Sequence, residues 1–264
     1  MGHVFNVPFS GALKTCPTLS SLPLLGHRVP STVLGEFFGT LILILLGNGV
    51  VAGVLLGKSK ASGGGWIVVT AGWAFAVTCG IFTSKALGGP GALNPVGPLA
   101  DVVAGKMGIA DGFALIAAEL LGAFAGAVLT WLHYYPHWKE TPDPAAKLGV
   151  FCTSPAIRYP FANLFGEMLG TFVLVFVASA VGKANFGTAE PAFIGMIVWA
   201  IGLSLGGTTG YAINPARDFG PRLAHFLLPI HGKGGSDWGY AWVPIVGPCI
   251  GAILAAVLFS LLTR

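Results

Sequence analysis

Asn94-Pro95-Val96 and Asn214-Pro215-Ala216-Arg217 constrain this chain more than any other feature. Each follows a glycine-rich break, Gly88 to Gly91 or Gly206 to Gly210, and lies in surroundings apolar enough to sit in lipid. Asn is a preferred N-cap, and proline at the first helical position is pre-organised to begin a helix. A helix begun there places unpaired N–H groups and a positive dipole end where water should be absent. Non-helical backbone is tolerated at membrane depth only where it is buried in protein or lines a cavity. Two such starts imply a pore.

The surroundings are lipid-like by composition. Of 264 residues 54% are hydrophobic and only 9% charged, and the mean hydropathy is +0.79. A soluble domain carries roughly 25% charged residues. The chain therefore reads as an all-α integral membrane protein. The net charge of +4 is too small and too scattered to argue for nucleic acid. Cys16, Cys79, Cys152 and Cys249 show neither metal-ligand spacing nor a disulfide framework, so no metal site is expected. Cys79 and Cys249 read as small buried residues of apolar segments. No cluster of nucleophile, base and orienting group is visible, so neither catalytic residues nor a cofactor are expected, and an enzyme is the weakest reading.

Apolar segments run from Val33 to Leu56, Trp66 to Leu87, Asp111 to His133, Phe161 to Val181, Ala192 to Gly206 and Tyr240 to Leu262. Most approach the ~20 residues that cross ~30 Å of hydrocarbon, so the spacing predicts six spans with both termini on one side. Asn94 to Gly105 and Asn214 to Leu228 are each about a dozen residues, enough at ~1.5 Å per residue to cover half the membrane. They read as re-entrant half-helices. Residues 1–31 form a short N-terminal tail without the pattern of a signal peptide.

The two halves repeat. Gly35-Glu36-Phe37-Phe38-Gly39-Thr40 returns as Gly166-Glu167-Met168-Leu169-Gly170-Thr171, and Asn94-Pro95 as Asn214-Pro215. Leu121-Gly122-Ala123 returns as Ile250-Gly251-Ala252, small residues suited to close helix packing. Three spans separate the copies, so the second must be inverted, which is a transport architecture with binding at the midplane. The expectation is one channel domain over 32–264, built of inverted repeats 32–135 and 161–264 joined by a loop at 136–160. With cytoplasmic termini, Lys14, Arg28, Lys85, Lys106, Lys183 and Arg264 lie inside, and Lys58, Lys60, Lys139, Lys147, Arg158 and Lys233 outside. That even split leaves the positive-inside rule silent.

These motifs, and above all Gly210-Tyr211-Ala212-Ile213-Asn214-Pro215-Ala216-Arg217-Asp218-Phe219-Gly220-Pro221, resemble the major intrinsic proteins, or aquaporins, within them the aquaglyceroporin or glycerol-facilitator branch. The resemblance covers about residues 32 to 262. It implies a passive channel in the cell membrane for glycerol and other small neutral solutes together with water. It also implies a homotetramer in the lipid bilayer, one pore per subunit, with cytoplasmic termini. Carried over by position, the selectivity filter falls on Trp73, Gly202, Tyr211 and Arg217. Glycine at 202 opens the ring, two aromatic residues make one wall greasy, and Asp218 and Pro244-Ile245 also resemble this branch. The chain departs from the family at Ala92, Val96 and Tyr211, where His, Ala and Phe are usual, and at Gly97-Pro98, which weakens the first half-helix.

The chemistry agrees with the residues. A small polyol has hydroxyls on one edge and carbons on the other, so its site needs polar groups facing an apolar wall. Arg217 supplies fixed donors, and Trp73 and Tyr211 cover the carbon edge. Acceptors are expected from the carbonyls of Pro90, Gly91, Ala92, Gly210, Tyr211 and Ala212. Asn94 and Asn214 donate at the centre, where two helix N-termini repel cations. Glu36 and Glu167 are expected to accept from loop backbone, and Asp218 to orient its neighbours. A predominantly water-selective channel and an ion-coupled secondary transporter are the alternatives.

Overall fold

The computed structural model describes residues 30–263. Of the tail expected over residues 1–31 only Pro30 and Ser31 are described, and Cys16 lies outside the described residues. Nine α-helices follow among the described residues: α1 (Ser31–Leu55), α2 (Trp66–Ala86), α3 (Val96–Val103), α4 (Ile109–His133), α5 (Pro144–Phe151), α6 (Pro160–Ala184), α7 (Glu190–Ser204), α8 (Pro215–Leu227) and α9 (Val243–Leu262). No strand occurs among the described residues. Six segments, built on α1, α2, α4, α6, α7 and α9, are long and apolar enough to cross a membrane. These six match the expected segments within a few residues at each end.

The packing is that of a doubled unit. α1 lies against α2 and α4, and α6 lies against α7 and α9. Both half-helices, α3 and α8, are held between α4 and α9. Small residues make these approaches possible. A Cβ at Gly126 of α4 would stand 2.6 Å from the Leu41 carbonyl oxygen of α1, and the Met168 carbonyl of α6 occupies the same space beside Gly251 of α9. With no hydrophobic drive between helices in lipid, such close van der Waals packing is what joins them.

Three expectations change. α3 has eight residues rather than a dozen. Pro98 has no N–H for the Asn94 carbonyl, so Gly97 N–H bonds to that carbonyl instead at 2.9 Å, a tighter turn. The helix then stops before Gly105, whose φ of 68° is left-handed. Second, the region 136–160 carries α5 as well as loop. Asp143 caps it, accepting from Ala145 N–H at 2.9 Å, and Pro144 is its first residue. Third, Cys79 is exposed on α2 while Cys152 is buried and Cys249 half-buried. An apolar residue on a spanning helix meets lipid as readily as protein, so apolarity alone does not place it inside.

Candidate functional site

Two irregular segments lead to the half-helices, and each hangs on a buried carboxylate. Glu36 of α1 accepts from Gly91 N–H at 2.8 Å and Ala92 N–H at 3.2 Å, from Leu93 N–H at 2.7 Å, and from Ser84 Oγ at 2.7 Å. Glu167 of α6 accepts from Ala212 N–H at 3.0 Å and Ile213 N–H at 2.8 Å. Both side chains are shut off from solvent. Hydrogen bonds to a charged acceptor contribute about 1.5–3 kcal/mol each, enough to hold strained backbone. Leu93 and Ile213 have φ of 51° and 43°, and Tyr211 has 39°, a region disfavoured for residues with a Cβ. With the N–H groups drawn to the carboxylates, the carbonyls are left over. Among the described residues no donor meets those of Pro90, Gly91, Ala92, Tyr211 or Ala212, and all five residues line one cavity of about 940 Å³.

Asn94 and Asn214 face each other across this cavity. Asn94 Nδ2 donates to the Ile213 carbonyl at 2.8 Å, and Asn214 Nδ2 donates to the Leu93 carbonyl at 2.7 Å. Each motif thus grips the residue preceding the other's asparagine. Each amide oxygen also caps its own helix: Asn94 Oδ1 accepts from Val96 N–H at 3.2 Å, and Asn214 Oδ1 from Ala216 and Arg217 N–H at 2.9 and 3.1 Å. An amide nitrogen has two hydrogens, so each asparagine keeps one without a protein acceptor among the described residues. Pro95, Pro215 and Ala216 stand behind this clasp, while Val96 reaches the cavity wall. Glu119 of α4 accepts from Asn94 N–H at 3.0 Å.

Further along the cavity Trp73, Tyr211 and Arg217 come together. The Arg217 guanidinium lies over the Trp73 ring, 4.1 Å from its centroid, in cation–π geometry. Trp73 Nε1, Tyr211 Oη and Arg217 Nη1 are all buried, and none has a protein partner. An unpaired buried donor costs about 1–3 kcal/mol, and these three belong to residues that line one cavity. Gly202 contributes differently from its expected role. It does not line the cavity. A Cβ there would lie 2.8 Å from Tyr211 Cζ, so glycine at 202 seats the Tyr211 ring. Its carbonyl accepts from Trp66 Nε1 at 2.9 Å, and Trp66 meets Tyr211 edge-on with centroids 5.7 Å apart. In the sequence Trp66 merely opens an apolar span, and no local pattern marks it as part of the site. Gly210 likewise stays off the cavity wall.

Asp218 points away from the cavity and ties loops to α8. It accepts from Thr153 N–H at 2.8 Å, Thr153 Oγ1 at 2.7 Å and Arg222 Nε at 2.8 Å. Arg222, fully buried, also donates to the carbonyls of Thr153, Ser236 and Asp237. So α8 carries one arginine with every group engaged and one with a donor free. Outside the spans, the Lys58 ammonium beside Glu140 holds that carboxyl below its ordinary pKa. No group of metal-binding side chains occurs among the described residues.

The sequence profile of the major intrinsic protein family matches residues 27–259. Glycerol uptake facilitator protein 3 of Lactiplantibacillus plantarum is 54% identical over 231 residues, 87% of this chain and 96% of that protein. The glycerol uptake facilitator protein of Bacillus subtilis is 50% identical over 227 residues, 86% of this chain and 82% of that one. Among solved structures, the aquaglyceroporin from Plasmodium falciparum superposes with a TM-score of 0.76 at 28% identity, covering 87% of this chain and 94% of its own.

Proposed function

The chain belongs to the major intrinsic protein family, and from that premise we propose that Trp73, Tyr211, Arg217, Asn94 and Asn214 form the conducting path of a passive, multi-pass membrane channel. Its permeants are glycerol, other small neutral solutes and water. The relatives named for glycerol uptake support the solute. The observation that carries the reading is the reciprocal clasp of Asn94 and Asn214 over a single cavity.

A polyol entering the constriction offers its oxygens to Trp73 Nε1, Tyr211 Oη and Arg217 Nη1, and its carbons to the aromatic faces. Unpaired carbonyls then accept its hydroxyl protons along both approaches, and the two asparagines donate at the midpoint. One water oxygen held by both amides interrupts a proton wire. A cation passing 4 Å from the Arg217 charge meets a repulsion of about 4 kcal/mol at an effective dielectric of ~20, and two half-charged helix ends add to it.

Glycine at 202 and the aromatic wall favour glycerol over strict water selectivity. The intramembrane carboxylates Glu36 and Glu167 are occupied by backbone N–H groups, which argues against an ion-coupled transporter. Residues 32–264 then form one channel domain of two inverted repeats. Outward apolar side chains such as Phe161, Phe165 and Phe75 suit lipid and neighbouring copies in a homotetramer of the cell membrane, with cytoplasmic termini. Proteoliposomes carrying the protein are expected to take up glycerol down its gradient, unaffected by collapse of proton or sodium gradients. Water flux without glycerol flux would favour the water-selective alternative. Saturating uptake that disappears with the ion gradient would favour the transporter.

A further inference from the structure

We propose that Lys233 is a positioning residue: its ammonium is the C-terminal cap of α8, and by pinning that end it sets the height of Arg217 in the constriction. The inference rests on the reading of Arg217 as a solute-sorting residue. α8 has thirteen residues and contains Pro221, which offers no N–H to the Arg217 carbonyl four positions earlier. The helix therefore lacks one internal bond at the residue whose placement matters most, and its far end is held from outside the helix.

That end stops at Leu227, before Leu228 and Pro229, with carbonyls that no further helical turn can meet. Lys233 stands among Gly232, Gly234 and Gly235 in the following turn and reaches back. Its Nζ donates to the carbonyls of His225 at 2.6 Å, Phe226 at 2.7 Å and Leu228 at 2.7 Å. Among the described residues no carboxylate pairs with it, so these carbonyls are its anchorage. A cation at a helix C-terminus also meets the negative end of the dipole. Lys147 of α5 presses on the same turn through the His231 carbonyl. α3 has nothing comparable: Gly105 and Lys106 close it with backbone N–H groups at 3.0 and 2.8 Å. The side-chain cap belongs only to the half-helix that bears the charged residue of the constriction.

The test compares Lys233→Met with Lys233→Arg in proteoliposomes, reading the ratio of glycerol to five-carbon polyol uptake. A mere loss of folded protein scales both fluxes and leaves their ratio alone. The Met variant is expected to lower the ratio about threefold or more, and Arg, which keeps charge and reach, to restore it. Should Lys233→Met fail to reach the membrane, Lys233→Gln gives the same reading. An unchanged ratio in a folded neutral variant overturns the inference while the wild-type channel still conducts glycerol. A wild-type protein that conducts none overturns the channel reading itself.

Discussion

The two half-helices begin alike and continue differently. Three and four residues after its asparagine α3 has Gly97 and Pro98, where α8 has Arg217 and Asp218. Asn94 caps one N–H and Asn214 caps two, and α3 runs for eight residues against thirteen. α8 buries Arg217, Asp218, Arg222 and His225, whereas the buried residues of α3 are Val96 and Pro98. What the halves share is the part any neutral-solute pore needs: a positive helix end, a donating amide and a row of free carbonyls. What they do not share is a buried charge. Only the second half holds one beside the cavity, against Trp73 of the first half, with Asp218 and Arg222 paired behind it.

Replacing Arg217 with Ala is expected to disturb that division most. It makes the two halves alike at this position and removes the fixed charge, so uptake of a small cation or a five-carbon polyol should rise about tenfold or more. Liposome uptake of each solute beside glycerol measures it; unchanged discrimination would sink the role given to Arg217. Gly202→His comes next. The new side chain must displace the Tyr211 ring, whose Cζ would stand 2.8 Å from the added Cβ. Glycerol flux should fall about tenfold, a loss of about 1.4 kcal/mol in passage, with water flux retained. Equal loss of both would contradict the placement of Gly202 behind the ring.

The carboxylate struts sharpen the comparison in the opposite sense, because here the first half is the more heavily built. Glu36 holds three backbone N–H groups and the Ser84 hydroxyl, and Glu167 two backbone N–H groups. Glu36→Gln should destabilise the protein by about 3 kcal/mol and Glu167→Gln by about half as much, since each replaces charged acceptors with a weaker one. Thermal melting in detergent ranks them, and the reverse order would show that Glu167 bears strain its bond count does not reveal.

The spans, the half-helices and the asparagine pair were legible because lipid imposes length and apolarity, and because a buried helix start needs Asn and Pro. The inverted repeat was legible as repeated strings around Glu36 and Glu167. Other parts were not. Trp66, Thr153 and Arg222 meet the site only through the folded loops, and no local pattern marks a contact 136 residues apart such as Trp66 with Gly202. Glycine at 202 reads as an opening because a sequence shows the missing side chain but not the ring that fills its place. α5 could have been found, since Asp143-Pro144 carries the same N-cap and proline logic as the half-helices.

Gly97→Ala is the mildest way to bring the halves together. Alanine in place of glycine gains up to about 1 kcal/mol in a helix. The added Cβ, however, would stand 3.1 Å from Ala92 Cβ, and a rigid overpacked contact costs about 1–3 kcal/mol. Ala92 can give way by a few tenths of an ångström, because its N–H has the longest of the Glu36 bonds, 3.2 Å. Gain and cost should therefore nearly cancel, leaving stability within about 0.5 kcal/mol of the starting protein. The shift moves one cavity carbonyl slightly, so glycerol flux should fall by less than about twofold, within the same free-energy range. A larger loss of either would mean that Glu36 holds the first approach too tightly for Ala92 to give way, and that Gly97 is as much a part of solute sorting as Arg217.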